Sequence, residues 1–189
     1  MTDKEKKALD IPEEKKIKYL KEYQDNNLFI SYFIKNTIDG IPLCYQRPRF
    51  RSMRTKKGKM LGMMYNPLSK TENKLRKDLQ KTTKKYEFLK EFLENPDIDY
   101  NIELYFDIYV DIPKNTSMKN IFLMESKKIL PSNVKRKDID NIVKCYMDVF
   151  TGVYYDDDCR VIDIHTHKYY SVNPRVEYIL YFNKITKNT

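Results

Sequence analysis

Residues 101–111 alternate without a break. Ile102, Leu104, Phe106, Ile108 and Val110 fill one set of positions, and Glu103, Tyr105, Asp107, Tyr109 and Asp111 fill the other. Neighbouring side chains of a strand point to opposite faces, so this pattern specifies a strand with one face in a core and the other toward solvent. Such a strand needs a sheet to join and something to cover its apolar face. Residues 28–35 (LFISYFIK), 160–168 and 175–182 supply further strand candidates, the last two joined by a turn at Asn173-Pro174. The cover is helical. Leu75, Leu79, Tyr86, Leu89 and Leu93 follow a Ser69-x-x-Glu72 capping signal and stop at Asn95-Pro96. A second helix is expected over 139–150, with Ile139, Ile142, Val143, Tyr146, Val149 and Phe150 on its apolar side. The expected fold class is α+β: a small mixed sheet with two principal helices.

A chain of 189 residues suits one domain. That domain is expected to span 28–189. Residues 1–27 form a charged helical extension with Ile17, Leu20 and Tyr23 on one side. An insertion occupies about 113–134, within which IFLMESKKIL reads as a short helix. There is neither a long apolar run nor a signal-peptide pattern, so a soluble intracellular protein of the cytoplasm or nucleoid, with no membrane partner, is expected. Cys44, Cys145 and Cys159 match no zinc or disulfide spacing.

Charge is unevenly spread. Residues 47–93 carry 15 basic and 4 acidic side chains, whereas 94–189 carry 13 basic and 15 acidic. The densest part, RPRFRSMRTKKGK over 47–59, contains Arg47, Arg49, Arg51, Arg54, Lys56 and Lys57 and no acid. Pro48 and Gly58 disfavour a helix, so a loop or irregular hairpin continuing to Tyr65 is expected. A stretch this basic suits a polyanion, nucleic acid foremost, although it also reads as the solvated face of a lysine-rich protein.

Carboxylates punctuate the second half. Asp138 and Asp140 stand at the start of the second helix, and Asp140, Lys144 and Asp148 follow one another at four-residue spacing. Gly152 permits a reversal before Asp156-Asp157-Asp158. We expect that reversal to return the triplet to the Asp138–Asp140 end. Converging carboxylates suit Mg²⁺, which takes hard oxygen ligands, and a nearby lysine suits a scissile phosphate. Each fragment has a plainer reading. Asp-x-Asp caps helices, a run of aspartates makes a solvated turn, and Lys144 pairs with Asp140 or Asp148. His165 and His167 share a strand face and read more simply as surface residues than as metal ligands.

Taken together, these residues resemble the RusA family of Holliday junction resolvases. The family signature appears as Asp138-Ile139-Asp140-Asn141, Lys144, Asp148, Gly152, Asp157-Asp158 and Val161, followed by Lys168 and Pro174-Arg175-Val176-Glu177. In the first half stand Gly40-Ile41-Pro42, Arg47-Pro48-Arg49-Phe50 and Tyr65-Asn66-Pro67. The resemblance covers about 28–183. It implies a homodimer that nicks four-way DNA junctions symmetrically with Mg²⁺ or Mn²⁺ and no small-molecule cofactor. It also implies metal binding by Asp138, Asp140 and Asp158 with Asp157 beside them, catalysis by Asp138, Asp140, Asp158 and Lys144, and DNA contacts from the six basic residues above and Lys168. Three departures stand out: the N-terminal extension, the insertion, and Arg160 where the family often has glutamine. Two competing functions remain open: a non-catalytic DNA-binding protein on the same scaffold, and a flap or general branched-DNA nuclease.

Overall fold

The computed structural model describes residues 27–95, 98–132, 134 and 137–187. The helix expected over 3–25 lies outside the described residues.

The alternating segment forms β4 (Asp99–Asp111), with its even-numbered residues buried. It lies inside a four-stranded sheet with β1 (Asn27–Asp39), β5 (Val161–Ser171) and β6 (Arg175–Lys187), in the order β1-β6-β4-β5. β6 pairs antiparallel with both β1 and β4, while β4 and β5 run parallel. A parallel neighbour requires a crossover. Here the crossover carries α3 (Met118–Glu125), the short helix expected in the insertion, and α4 (Ile139–Phe150), whose bounds match the expected ones. The chain thus leaves the C-terminal end of β4, returns along α4, and re-enters the sheet at the N-terminal end of β5.

The first expected helix is two helices, α1 (Ser69–Thr83) and α2 (Glu87–Glu94). The Thr82 and Thr83 hydroxyls donate to the Leu79 and Gln80 carbonyls at 2.7 and 2.8 Å. Such back-bonding weakens the helical ladder, and the chain turns there. The expected Ser69/Glu72 capping box does not form. Leu68 is the N-cap residue and no side chain caps the helix; ahead of it Asn66 accepts from the Leu68 N–H at 2.9 Å in an Asx turn and donates to Glu72 Oε2 at 2.8 Å, tying the approach to the first turn.

One apolar core lies between the helices and one face of the sheet. Phe106 and Tyr178, directly paired across β4 and β6, meet Phe150 with ring centroids 5.9 and 4.7 Å away. The buried hydroxyls of Tyr154 and Tyr178 satisfy each other at 2.6 Å. Tyr32, Phe88, Phe92, Tyr100 and Phe182 form a second aromatic group under α2. Arg76 of α1 donates to the Asp148 and Val149 carbonyls at 2.7 and 3.4 Å, occupying acceptors left over at the C-terminus of α4.

The basic stretch is a two-stranded hairpin, β2 (Arg49–Arg54) and β3 (Met60–Tyr65), exposed along its whole length. Phe50 lies across Gly62 and leaves no room there for a Cβ.

Phe150 is fully buried where α4 meets the sheet. Phe150→Ala is expected to lower the unfolding free energy by about 3–5 kcal/mol, read as a drop in urea midpoint at constant m. A loss below about 1 kcal/mol would contradict this packing.

Candidate active site at the start of α4

Asp138 is the N-cap residue of α4, yet its side chain makes no capping hydrogen bond. Both Asp138 and Asp140, in the first turn, are exposed. The plain capping role therefore does not account for Asp138, whose exposed carboxylate lies at the positive end of the helix dipole.

The segment after β1 is tied along this end of the helix. The Leu43 N–H donates to the Tyr146 hydroxyl at 3.2 Å and the Tyr45 N–H to the Asn141 carbonyl at 2.9 Å. These bonds bring Cys44, Tyr45, Arg47 and Arg49 to an open cleft with Asp138 and Asn141, of about 530 Å³. The Lys144 ammonium lies 4.5 Å from the centre of the Tyr45 ring, a cation–π contact that orients it. Burial, then Asp138, pushes the Cys44 thiol above its ordinary range.

Lys168 has a structural task besides any contact with DNA. Its ammonium donates to the Lys137 carbonyl at 2.9 Å, and the Lys137 ammonium pairs with Asp111 at the end of β4. Burial lowers the Lys137 pKa. Lys137, Tyr45 and Cys44 were not singled out from the sequence. Lys137 sits beside Asp138 and could have been read from that adjacency, whereas the other two reach the site only through tertiary packing.

The aspartate triplet does not return to this end within one chain. The Asp158–Arg160 3-10 turn leads directly into β5 at the level of Ile102, near the start of β4, whereas Lys168 lies beside Ile108. Asp158 acts electrostatically on Asp148 and Tyr155, at the C-terminal end of α4. The 12 residues of α4 separate the two ends by about 18 Å. The sequence expectation failed because a parallel crossover helix runs opposite to its strands, so the turn after α4 lies at the far end from its start.

The triplet is internally differentiated. Asp156 accepts from Tyr100 at 2.9 Å and from Arg160 at 3.3 Å. Asp157 caps the 3-10 turn by accepting from the Cys159 N–H at 2.9 Å. Arg160 also lies 4.4 Å from the centre of the Tyr100 ring, so it straps this turn to β4. Asp158 is exposed at the first position of the turn.

Two carboxylates at the start of α4 are hard donors of the kind Mg²⁺ takes, but two are a partial set. Among the described residues, no group of three or more His, Cys, Asp or Glu side chains could hold a metal ion. The described residues of one chain thus bring two of the expected carboxylates, Asp138 and Asp140, to this end of α4. His165 and His167 lie on the open face of the sheet, against Asp163 at 3.0 Å and Asp107 at 3.6 Å, with His165 stacked on Tyr105. That is a surface hydrogen-bonding role.

Comparison with known proteins decides the lineage. The profile of Endodeoxyribonuclease RusA matches residues 39–180. The chain belongs to the RusA endodeoxyribonuclease family. The match runs from the end of β1 into β6 and takes in every residue of the RusA-like signature. The chain is also 33% identical over 73 residues to the uncharacterized protein YqaN of Bacillus subtilis (strain 168), a match covering 39% of this chain and 51% of that relative. It thus spans about half the length of that curated relative. The four-stranded mixed sheet with α1 and α4 is the α+β architecture expected of a RusA-like chain. Among the described residues, no helix is long and apolar enough to cross a membrane.

Burial first, and then the charge of Asp158, hold the Asp148 carboxyl above its ordinary range, while Lys144 and Arg76 oppose them. A carboxyl raised in the folded state disfavours folding once it ionises. The cost is fully present above the folded pKa and vanishes below the unfolded one. Asp148→Asn is therefore expected to raise the urea midpoint at neutral pH, by a margin that shrinks on acidification through the carboxylate range. A midpoint unchanged or lowered at neutral pH would contradict it.

Proposed function

We propose that this protein is a divalent-metal-dependent endodeoxyribonuclease that resolves four-way DNA junctions by paired symmetric nicks, acting as a homodimer. The observation that carries this reading is the start of α4, where Asp138 and Asp140 stand exposed at a helix N-terminus with no side-chain hydrogen bond or ion pair among the described residues. Lys144, Arg47 and Arg49 flank them. Family membership supplies the reaction class, and this arrangement supplies its parts.

Asp138 and Asp140 offer carboxylate oxygens to Mg²⁺ or Mn²⁺, and Asp158 is the third acidic residue of the set. A cation held there would lower the pKa of a bound water and offset charge on the reacting phosphate. Lys144, oriented over Tyr45, presents a compact positive charge to the scissile phosphate. Arg47, Arg49, Arg51, Arg54, Lys56 and Lys57 contact the DNA backbone from the hairpin, and Lys168 adds charge behind Asp138. Such contacts hold DNA without reading its sequence. Two sites related by a two-fold axis match a junction whose opposed strands are equivalent.

The deciding experiment compares a synthetic four-way junction, a flap and linear duplex in one assay with Mg²⁺ or Mn²⁺. Symmetric paired nicks on the junction are expected, with activity lost on chelation. Cutting confined to flaps would make the protein a flap nuclease. Binding without cutting under either metal would make it a DNA-binding scaffold. Asp140→Asn is expected to abolish cleavage and leave junction binding largely intact; a fully active variant would remove Asp140 from the mechanism.

The hairpin has its own test. Replacing Arg49 and Arg51 together by alanine is expected to reduce the slope of log affinity against log salt by about two. The affinity loss should be the same for junctions of different sequence. An unchanged slope would take these side chains off the DNA.

A further inference from the structure

Three consecutive aspartates precede β5, and the fold engages two of them. Asp157 accepts from the Cys159 N–H at 2.9 Å, within the turn itself. Asp156 is held by two side chains. The Tyr100 hydroxyl donates to its Oδ1 at 2.9 Å, and Arg160 donates from Nε to Oδ1 at 3.3 Å and from Nη2 to Oδ2 at 3.5 Å. The same guanidinium lies 4.4 Å from the centre of the Tyr100 ring and 3.9 Å from Asp99. Tyr100 is anchored in the core, with its ring edge-on to Phe92 at 4.8 Å. Tyr100, Asp156 and Arg160 thus form a closed three-way clamp. Asp158 stands inside the clamped stretch, exposed, at the first position of a three-residue 3-10 turn. The hydrogen bonds of such a turn have poor geometry, so its place depends on what ties it down.

We propose that Arg160 is a positioning residue: by locking Asp156 onto Tyr100 it fixes the turn that presents Asp158, and it keeps Asp156 from competing with Asp158 for the cation. The proposal rests on the nuclease reading above, in which Asp158 is the third acidic residue of the set. A hard cation takes any carboxylate oxygen within reach, so chemistry alone does not choose among three adjacent aspartates. Engagement chooses. The planar fork of an arginine meets both oxygens of one carboxylate, which the point charge of a lysine does not do. An exposed ion pair at four-residue spacing contributes little. This pair differs in two respects: the Arg160 side chain is 26% exposed, and Asp156 is shared with a hydroxyl rooted in the core. Groups that orient a metal-binding side chain from behind commonly set metal affinity as strongly as this proposal requires.

The test reads Mn²⁺ alone, by the electron paramagnetic resonance of the free ion titrated with the full chain, beside the Mn²⁺ dependence of junction cleavage. Arg160→Met keeps an apolar stem over Tyr100 and removes the fork. It is expected to raise the Mn²⁺ concentration for half-saturation about tenfold in both measurements. Arg160→Lys is expected to recover part of the loss. Removing a positive charge beside a cation site would by itself tighten binding, so a weakening reports position and not charge. In an Asp156→Asn background the Arg160→Met change is expected to add nothing, because Arg160 acts through that carboxylate.

Mn²⁺ binding that is unchanged or tighter in Arg160→Met, or an effect of the same size with and without Asp156, overturns the proposal. So does a lower urea midpoint with normal Mn²⁺ binding, which would make Arg160 a structural strap alone. Where Arg160→Met fails to fold, Tyr100→Phe, which drops the hydroxyl bond to Asp156 and keeps the ring, is expected to weaken Mn²⁺ binding in the same direction, and normal binding there is equally fatal. A wild type that neither binds Mn²⁺ nor cuts junctions refutes the nuclease reading, and this inference falls with it. A wild type that does both, beside an unaffected Arg160→Met, refutes this inference alone.

Discussion

Parallel pairing of β4 with β5 governs much of this molecule. It forces the chain to cross back over the sheet, and α4 is the segment that does so. Packing then fixes α4: Ile142, Tyr146, Val149 and Phe150 are buried against the inner face of the sheet, with Phe106 and Tyr178 beneath. The helix can neither shorten nor rotate without breaking that aromatic contact. Its two ends are consequently held a helix length apart, and every charged residue on them inherits that separation.

The distribution of charge follows the same geometry. At the start of α4 the tethered segment 43–47 and Lys168 bring cations beside two carboxylates. At its end, the aspartates are tied into a compact turn by Tyr100 and Arg160. Arg160, the departure from the family's usual glutamine, lies 3.3 Å from Asp156 and stacks over the Tyr100 ring, so here it positions the turn that carries Asp158. The hairpin of β2 and β3 stands apart from the core and exposes methionines beside its arginines.

Capping shows how local chemistry and tertiary demand divide the work. Ser69 looked like the cap of α1, but the helix starts after Leu68 without a side-chain cap, and the Asn66 amide holds the approach by bridging the Leu68 N–H and Glu72. Asp138 looked like a plain cap of α4, and instead its carboxylate makes no capping hydrogen bond at a helix start, where most aspartates would bond the backbone. Similarly, Lys168, which the resemblance implies as a DNA contact, is engaged by a carbonyl in the fold.

The sequence by itself determined the strands and helices whose side chains alternate or repeat regularly. The faces of β4, the bounds of α4 and the acidic residues of the family signature were legible, because periodicity and composition are local properties; the basic stretch was legible only as a loop or irregular hairpin, whereas it pairs regularly. The helix break after Thr83 was not, since it depends on hydroxyls competing with the backbone inside an otherwise helical pattern. Only the tertiary structure decided where the carboxylates lie in space. Whether a strand after a helix pairs parallel or antiparallel is settled by which neighbour it meets in the sheet, and no residue between Gly152 and Val161 encodes that neighbour. The same spacing that suggested convergence in one chain thus placed the carboxylates at opposite ends of one helix.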